Sequence, residues 1–175
     1  LIWAEATAIV PEGRANPRQL WLHGGTAADF AALINLIHSS AADEFGAGYR
    51  PMVIAQLTHS GRYSKPKGVA APIIAYHHPV LDPRHGLSED YPVITDEELD
   101  RLQDAYVAAA RVARDAGFDA VDVKACHGYL LYELLNAFTR AHSRYGGSYE
   151  NRTRMLREVV ARIRAEVPGI AIVSR

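Results

Sequence analysis

The alternation of short, almost uninterrupted apolar runs with long segments of helical period constrains this chain more than any other feature. Residues 1–10 are apolar and β-prone and are stopped by Pro11-Glu12-Gly13. Residues 51–57, 118–123 and 170–173 repeat the pattern, the second run ending at Gly61 and the fourth following Pro168-Gly169. Helical spacing lies between them. Thr26 caps a stretch in which Phe30, Leu33, Ile34 and Ile37 share one face, ending near Gly46 and Gly48. Thr95 with Asp96, Glu97 and Glu98 opens a second helix, which passes through Leu99, Leu102, Tyr106 and Ala109 to Gly117. Another helical stretch opens after the third run, and residues 150–167 form a long amphipathic helix. The order is β-α-β-α-β-α-β. Strands that are apolar along their length are covered on both faces, so the expectation is a parallel sheet under helices, with residues 1–10 a buried strand.

Two α/β architectures meet that description. A doubly wound nucleotide-binding sheet needs Gly-x-Gly-x-x-Gly after a strand, and none is present. The fold class expected is therefore a partial (β/α)8 TIM barrel. A full barrel takes about 250 residues and eight strands. With 175 residues the chain supplies roughly half of one, and residues 1–175 read as a single incomplete barrel domain. Its start at Leu1 and its stop just after the fourth run are read as the cut ends of a longer product. Unpaired strand edges would then favour self-association, so a homo-oligomer is expected.

Composition narrows the partners. Nearly half the residues are hydrophobic, enough for a real core, and the net charge is −1 with basic residues scattered among acidic ones. That balance favours a small molecule over nucleic acid or a membrane surface. The lone cysteine, Cys126, excludes an intrachain disulfide and suits a reducing compartment, so a cytoplasmic location is expected.

In a parallel barrel the active face lies at the strand ends and in the loops after them. Gln56 ends the second run with His59 just beyond, Lys124, His127 and Tyr129 follow the third, and Arg175 follows the fourth; Glu5 lies within the first. Residues 62–94 are rich in Pro, Gly and His with no period, and a loop of that length usually covers a site. Strand alternation turns Val121 and Val123 toward the helices and Asp122 and Lys124 into the barrel, where a pair of opposite charge is the tolerated arrangement. Plainer roles exist for each. A strand-end glutamine serves loop backbone, His127 and Tyr129 can cap and pack a helix start, and Lys124 can snorkel. His77-His78 lacks an evident carboxylate partner and reads as loop surface. The arginines of residues 150–167 read mostly as a solvated face with Glu158 and Glu166.

Four motifs in order carry a resemblance over nearly the whole chain. They are Ala4-Glu5-Ala6-Thr7-Ala8 with Pro11-Glu12-Gly13-Arg14, Gln56-Leu57-Thr58-His59-Ser60-Gly61-Arg62, His127-Gly128-Tyr129-Leu130, and Tyr145-Gly146-Gly147-Ser148-Tyr149-Glu150-Asn151-Arg152. Together they resemble the Old Yellow Enzyme family of FMN-dependent oxidoreductases. The resemblance implies an FMN-bearing barrel of which this chain is strands two to five, NADH or NADPH as reductant, and an enone or related small molecule as substrate. Ala6 matches a residue packed on the flavin, Gln56 the glutamine that bonds its pyrimidine ring, and Arg175 the arginine beside N1 and the C2 oxygen. Tyr129 matches the proton donor. His127 matches the second member of a His-x-x-His or His-x-x-Asn pair that grips the substrate oxygen; the first member is here Lys124, a departure from the pattern. The resemblance also implies that the phosphate-binding elements and the first flavin-contacting strand lie outside this chain. Two other readings stay open: a Schiff-base lyase using Lys124, and an inactive half-barrel that self-associates.

Overall fold

In the computed structural model, which describes residues 1–175, the apolar runs become β1 (Ile2–Ala8), β2 (Val53–Thr58), β3 (Ala120–Val123) and β4 (Ala171–Ser174). All pair parallel, in the order β1-β2-β3-β4. Each connection thus steps one strand onward in a constant direction, as a barrel requires; a doubly wound sheet reverses its order. The chain is a run of four consecutive strands of a (β/α) barrel, as the alternation predicted.

The connections carry α1 (Ala27–Phe45), α2 (Leu81–Arg84), α3 (Asp96–Asp115), α4 (Leu130–Leu135) and α5 (Tyr149–Glu166). None is long and apolar enough to cross a membrane. The cap expected at Thr95 forms in full: its hydroxyl accepts from Glu98 N at 3.1 Å, and the Glu98 carboxylate accepts from Thr95 N at 2.7 Å. The cap expected at Thr26 does not. Its hydroxyl is spent on the Trp21 carbonyl, 2.9 Å away, because a short turn over Gly24–Thr26 precedes α1. Val53, Ala55, Leu57, Val121 and Val123 face the helices and share one apolar core with residues such as Ile34, Leu99 and Val159. Each valine, leucine or isoleucine among them, fully buried, contributes about 1.5–3 kcal/mol.

The expectation of a buried first strand fails for its first half. Ile2 and Trp3 remain 38% and 39% exposed, and only Thr7 and Ala8 are buried within β1. β1 is an edge of this sheet, so its non-helical face and outer side meet less of the chain. It also carries a bulge: Trp3 pairs with Ile54 but Ala6 with Gln56, so three steps on β1 match two on β2. One extra residue there puts Trp3 and Ala6 on the same face rather than on opposite ones.

The segment after β2 is organised by one buried cation. The Arg62 side chain is fully buried; Nε donates to Glu133, Nη1 to Asp82 at 2.5 Å and Nη2 to the Tyr76 carbonyl at 3.0 Å. The other Glu133 oxygen accepts from Ala75 N at 2.9 Å. A single guanidinium thereby fastens the end of β2, the long loop, α2 and α4. One expectation about this region needs correction. His77 does have a carboxylate partner, Asp82, 2.8 Å from its Nδ1, because α2 turns that carboxylate back toward it. His78 Nδ1 instead accepts from Val80 N and Leu81 N, so the two rings serve different loop contacts. Among the α5 arginines, Arg152 has a structural place: it stacks over Phe138 and donates to the Gly147 carbonyl, holding the turn into the helix.

Replacing Arg62 by Met should destabilise the protein by about 3–5 kcal/mol, since two buried carboxylates lose their counter-charge. Denaturant unfolding midpoints measure this. A loss below about 1 kcal/mol, the range of an exposed pair, would mean that the guanidinium does not hold the loop.

Candidate active site

Register places the polar residues in rows. Ala6 pairs with Gln56 and Gln56 with Asp122, so the three stand side by side on the face turned away from the helices. Gln56 Nε2 donates to Asp122 Oδ2 at 2.7 Å, and Trp3 Nε1 donates to the same oxygen at 3.1 Å. Asp122 Oδ1 is buried without a partner.

The pairing expected between Asp122 and Lys124 does not form. The carboxylate is occupied by an amide and an indole, and the Lys124 ammonium lies instead over the Tyr129 ring, 4.5 Å from its centroid. Lys124 is the first residue beyond β3, and its long side chain extends toward the following turn rather than back along the strand. It is only 6% exposed. Burial is the largest influence on its pKa, which is lowered; the Arg175 charge acts the same way, while Cys126 and Asp122 oppose it.

Arg175 is held by its carbonyl, which accepts from Ala125 N at 2.9 Å, and its guanidinium lies 5.5 Å from the Trp3 ring. β1 and β4 are the two outer strands, so the approach of the Arg175 side chain to Trp3 across the face between them means that this face is concave.

His127 is the one non-glycine residue with positive φ, +61°, followed by Gly128 at +69°. The Tyr129 amide donates back to the Cys126 carbonyl at 3.3 Å, closing a tight turn with two left-handed central residues. That conformation costs a residue with a Cβ about 1–2 kcal/mol. It leaves His127 exposed and makes Tyr129 the residue that precedes α4. His127 and Tyr129 then line a hollow of about 310 Å³ with Ala15, Tyr63 and Lys65. The Tyr63 and Tyr129 rings are 6.0 Å apart. Two glycines permit this approach. A Cβ on Gly61, whose φ is +57°, would sit 2.8 Å from the Leu130 nitrogen, and one on Gly128 would sit 3.2 Å from the Tyr63 ring.

Of the sequence candidates, Gln56, Lys124, Tyr129 and Arg175 share the concave face, with Ala6 beside Gln56 and His127 at the rim. His59 and Glu5 do not join them. His59 is buried beneath Gly13, with Nδ1 accepting from Gly61 N at 3.1 Å, and lines a separate hollow of about 410 Å³ with Val10, Ile73 and Ile94. Glu5 falls in the bulge of β1 and is exposed. Sequence reasoning missed Trp3, Tyr63 and Lys65. The bulge hid the facing of Trp3. Tyr63 and Lys65 follow Gly61-Arg62 directly, in a loop whose lack of period gives no facing at all. An amide, two cations, an imidazole and a phenol around one concavity suit a ligand rich in acceptor oxygens on which negative charge develops.

The family described as NADH:flavin oxidoreductase / NADH oxidase matches residues 1–175. The chain is 30% identical over 172 residues to NADPH dehydrogenase of Halalkalibacterium halodurans, covering 97% of this chain and 46% of the relative. It thus spans about half the length of the curated relatives it matches. Among solved structures, the old yellow enzyme homologue from Zymomonas mobilis is 27% identical with a TM-score of 0.74, over 99% of this chain and 49% of that one. The complex of 2-naphthoyl-CoA reductase with 2-naphthoyl-CoA has a TM-score of 0.80 at 24% identity, over 100% of this chain and 27% of that one, and supports the fold alone.

Burial holds the His59 imidazole down at a pKa of about 4, against its own backbone hydrogen bond. An unfolded histidine titrates near 6.5, so between those two values the unfolded chain binds a proton that the folded chain refuses. Stability should therefore be complete above pH ~6.5 and fall by roughly 3 kcal/mol as pH drops to about 4. Urea midpoints across this window, for the wild type and for His59→Asn, test this; equal slopes in the two proteins would exclude His59 as the source.

Proposed function

The chain belongs to the NADH:flavin oxidoreductase / NADH oxidase family, and from that premise we propose that the protein is an FMN-dependent oxidoreductase drawing electrons from NADH or NADPH. The finer reading is reduction of the carbon–carbon double bond of α,β-unsaturated carbonyl compounds. The observation that carries it is the grouping of Gln56, Arg175, Lys124, His127 and Tyr129 about one concave face at the strand ends. The NADPH dehydrogenase relative supports the choice of reductant.

The residues present fit a flavin ring. Asp122 holds the Gln56 amide nitrogen, which turns the carboxamide into a fixed group on that face, with its oxygen accepting no hydrogen bond from the chain. Ala6, in register beside it, offers only a methyl, so a planar ring can lie close. Arg175 has no carboxylate partner and can face ring atoms that gain negative charge. FMN, when bound, supplies hydride chemistry between nicotinamide and substrate. For the substrate, Lys124 and His127 hold the oxygen and draw electrons from the double bond. Tyr129 donates the proton to the carbon next to the one that receives hydride; its phenol O–H is a donor that can pass its proton as the carbanion forms. The lowered pKa of Lys124 favours one rival, Schiff-base chemistry at its amine. Borohydride treatment with a carbonyl compound would then leave a stable adduct on Lys124.

The full-length protein should purify with a flavin absorption spectrum that NADPH or NADH bleaches and an enone restores; a colourless protein that takes up no FMN would overturn the proposal. Tyr129→Phe should leave the bleaching rate nearly unchanged and slow the restoring step by about 10²–10⁴-fold, the range for general acid catalysis. Equal slowing of both steps would sink the proton-donor role.

A further inference from the structure

Lys124 is a buried cation without a counter-ion. No carboxylate lies within ion-pair distance of its ammonium, although eight arginines of the chain form such pairs. The nearest anion along the strand, Asp122, has one oxygen bound by Gln56 and Trp3. Arg175, the second cation of the concave face, is also unpaired, and its charge adds to the cost of keeping Lys124 protonated. Lys65, on the wall of the adjoining hollow, forms no ion pair either. The face therefore holds Asp122 against Lys124 and Arg175, an excess of one positive charge. An ammonium with so little access to water is costly unless an anion reaches it, and no group of this chain fills that role. A neutral carbonyl needs only a hydrogen-bond donor, which an imidazole provides without that cost.

We propose that the substrate of this site is itself anionic, an unsaturated compound bearing a carboxylate or similar oxyanion that the Lys124 ammonium engages, with Lys65 adding charge at the entrance. The inference rests on reading the concave face as the substrate site, but not on the redox chemistry assigned to it. Tyr129 contributes by holding the ammonium over its ring, 4.5 Å from the centroid.

Calorimetric titration of the full-length protein with benzoate and with benzamide, two rings of similar size differing in charge, tests this. Benzoate should bind at least about tenfold more tightly, as a charge-assisted hydrogen bond does. Lys124→Met should abolish that preference by weakening benzoate alone, and Lys124→Arg should retain it. Equal affinities in the wild type, or equal weakening of both ligands in Lys124→Met, would overturn the proposal; the wild-type comparison decides the matter even if the Met variant folds poorly. Flavin absorption recorded on the same samples separates the two readings. A benzoate preference in a protein that binds no flavin would support the charge assignment while the redox reading fails, and flavin with no benzoate preference would overturn the charge assignment alone.

Discussion

Because β1, β2, β3 and β4 pair parallel and in order, every strand ends on the same side of the sheet, and alternate residues face away from the helices. Everything at the candidate site follows from that register. Val121 and Val123 are committed to the core, so Asp122 and Lys124 are committed to the concave face; Ala55 and Leu57 likewise commit Gln56. A one-residue slip of β3 against β2 would exchange these sets, burying a carboxylate among helix side chains and turning valines into the cavity. The apolar core thus sets the position of the polar groups without touching them.

Two buried cations then show opposite solutions to one desolvation problem. Arg62 has two carboxylates and a carbonyl around a fork-shaped guanidinium, and becomes the fastening of the long loop. Lys124 has an aromatic face and no anion. The first arrangement is satisfied within the chain and stabilises it. The second is left incomplete, and an incomplete polar group at a strand end of a barrel is where a ligand can contribute what the fold does not. Asp122 lies between these cases, with one oxygen bound twice and the other unpartnered.

Backbone strain marks the same place. The turn after β3 needs two left-handed residues in succession, His127 and Gly128, before α4 can begin at Leu130. Histidine and asparagine are among the few side-chain-bearing residues that tolerate that conformation. The His-or-Asn choice implied at this position by the Old Yellow Enzyme resemblance therefore has a backbone reason in addition to its hydrogen-bonding one. Gly128 also lets Tyr63 approach, and Gly61 lets the long loop meet the start of α4. The hollow between Tyr63, Lys65, His127 and Tyr129 is the product of these close approaches.

The sequence by itself determined the strand and helix order, the parallel sheet, the cap at Thr95 and the residues at the strand ends. These are written in local periods of two and 3.6 residues and in turn chemistry, which a short window contains. Partner choice is different, because it depends on which side chains arrive from far along the chain. Trp3 reaches Asp122 across 119 residues and displaces the pairing that strand alternation suggested for Lys124. Glu133 reaches Arg62 across 71 residues and gives shape to a loop with no period of its own. A one-residue bulge in β1 turned Trp3 inward, and Gly13 left the room in which His59 packs away from the mouth. Only the tertiary structure decided these, since a buried charge takes whichever partner best satisfies its desolvation, and competing partners exist only once the strands have assembled around it.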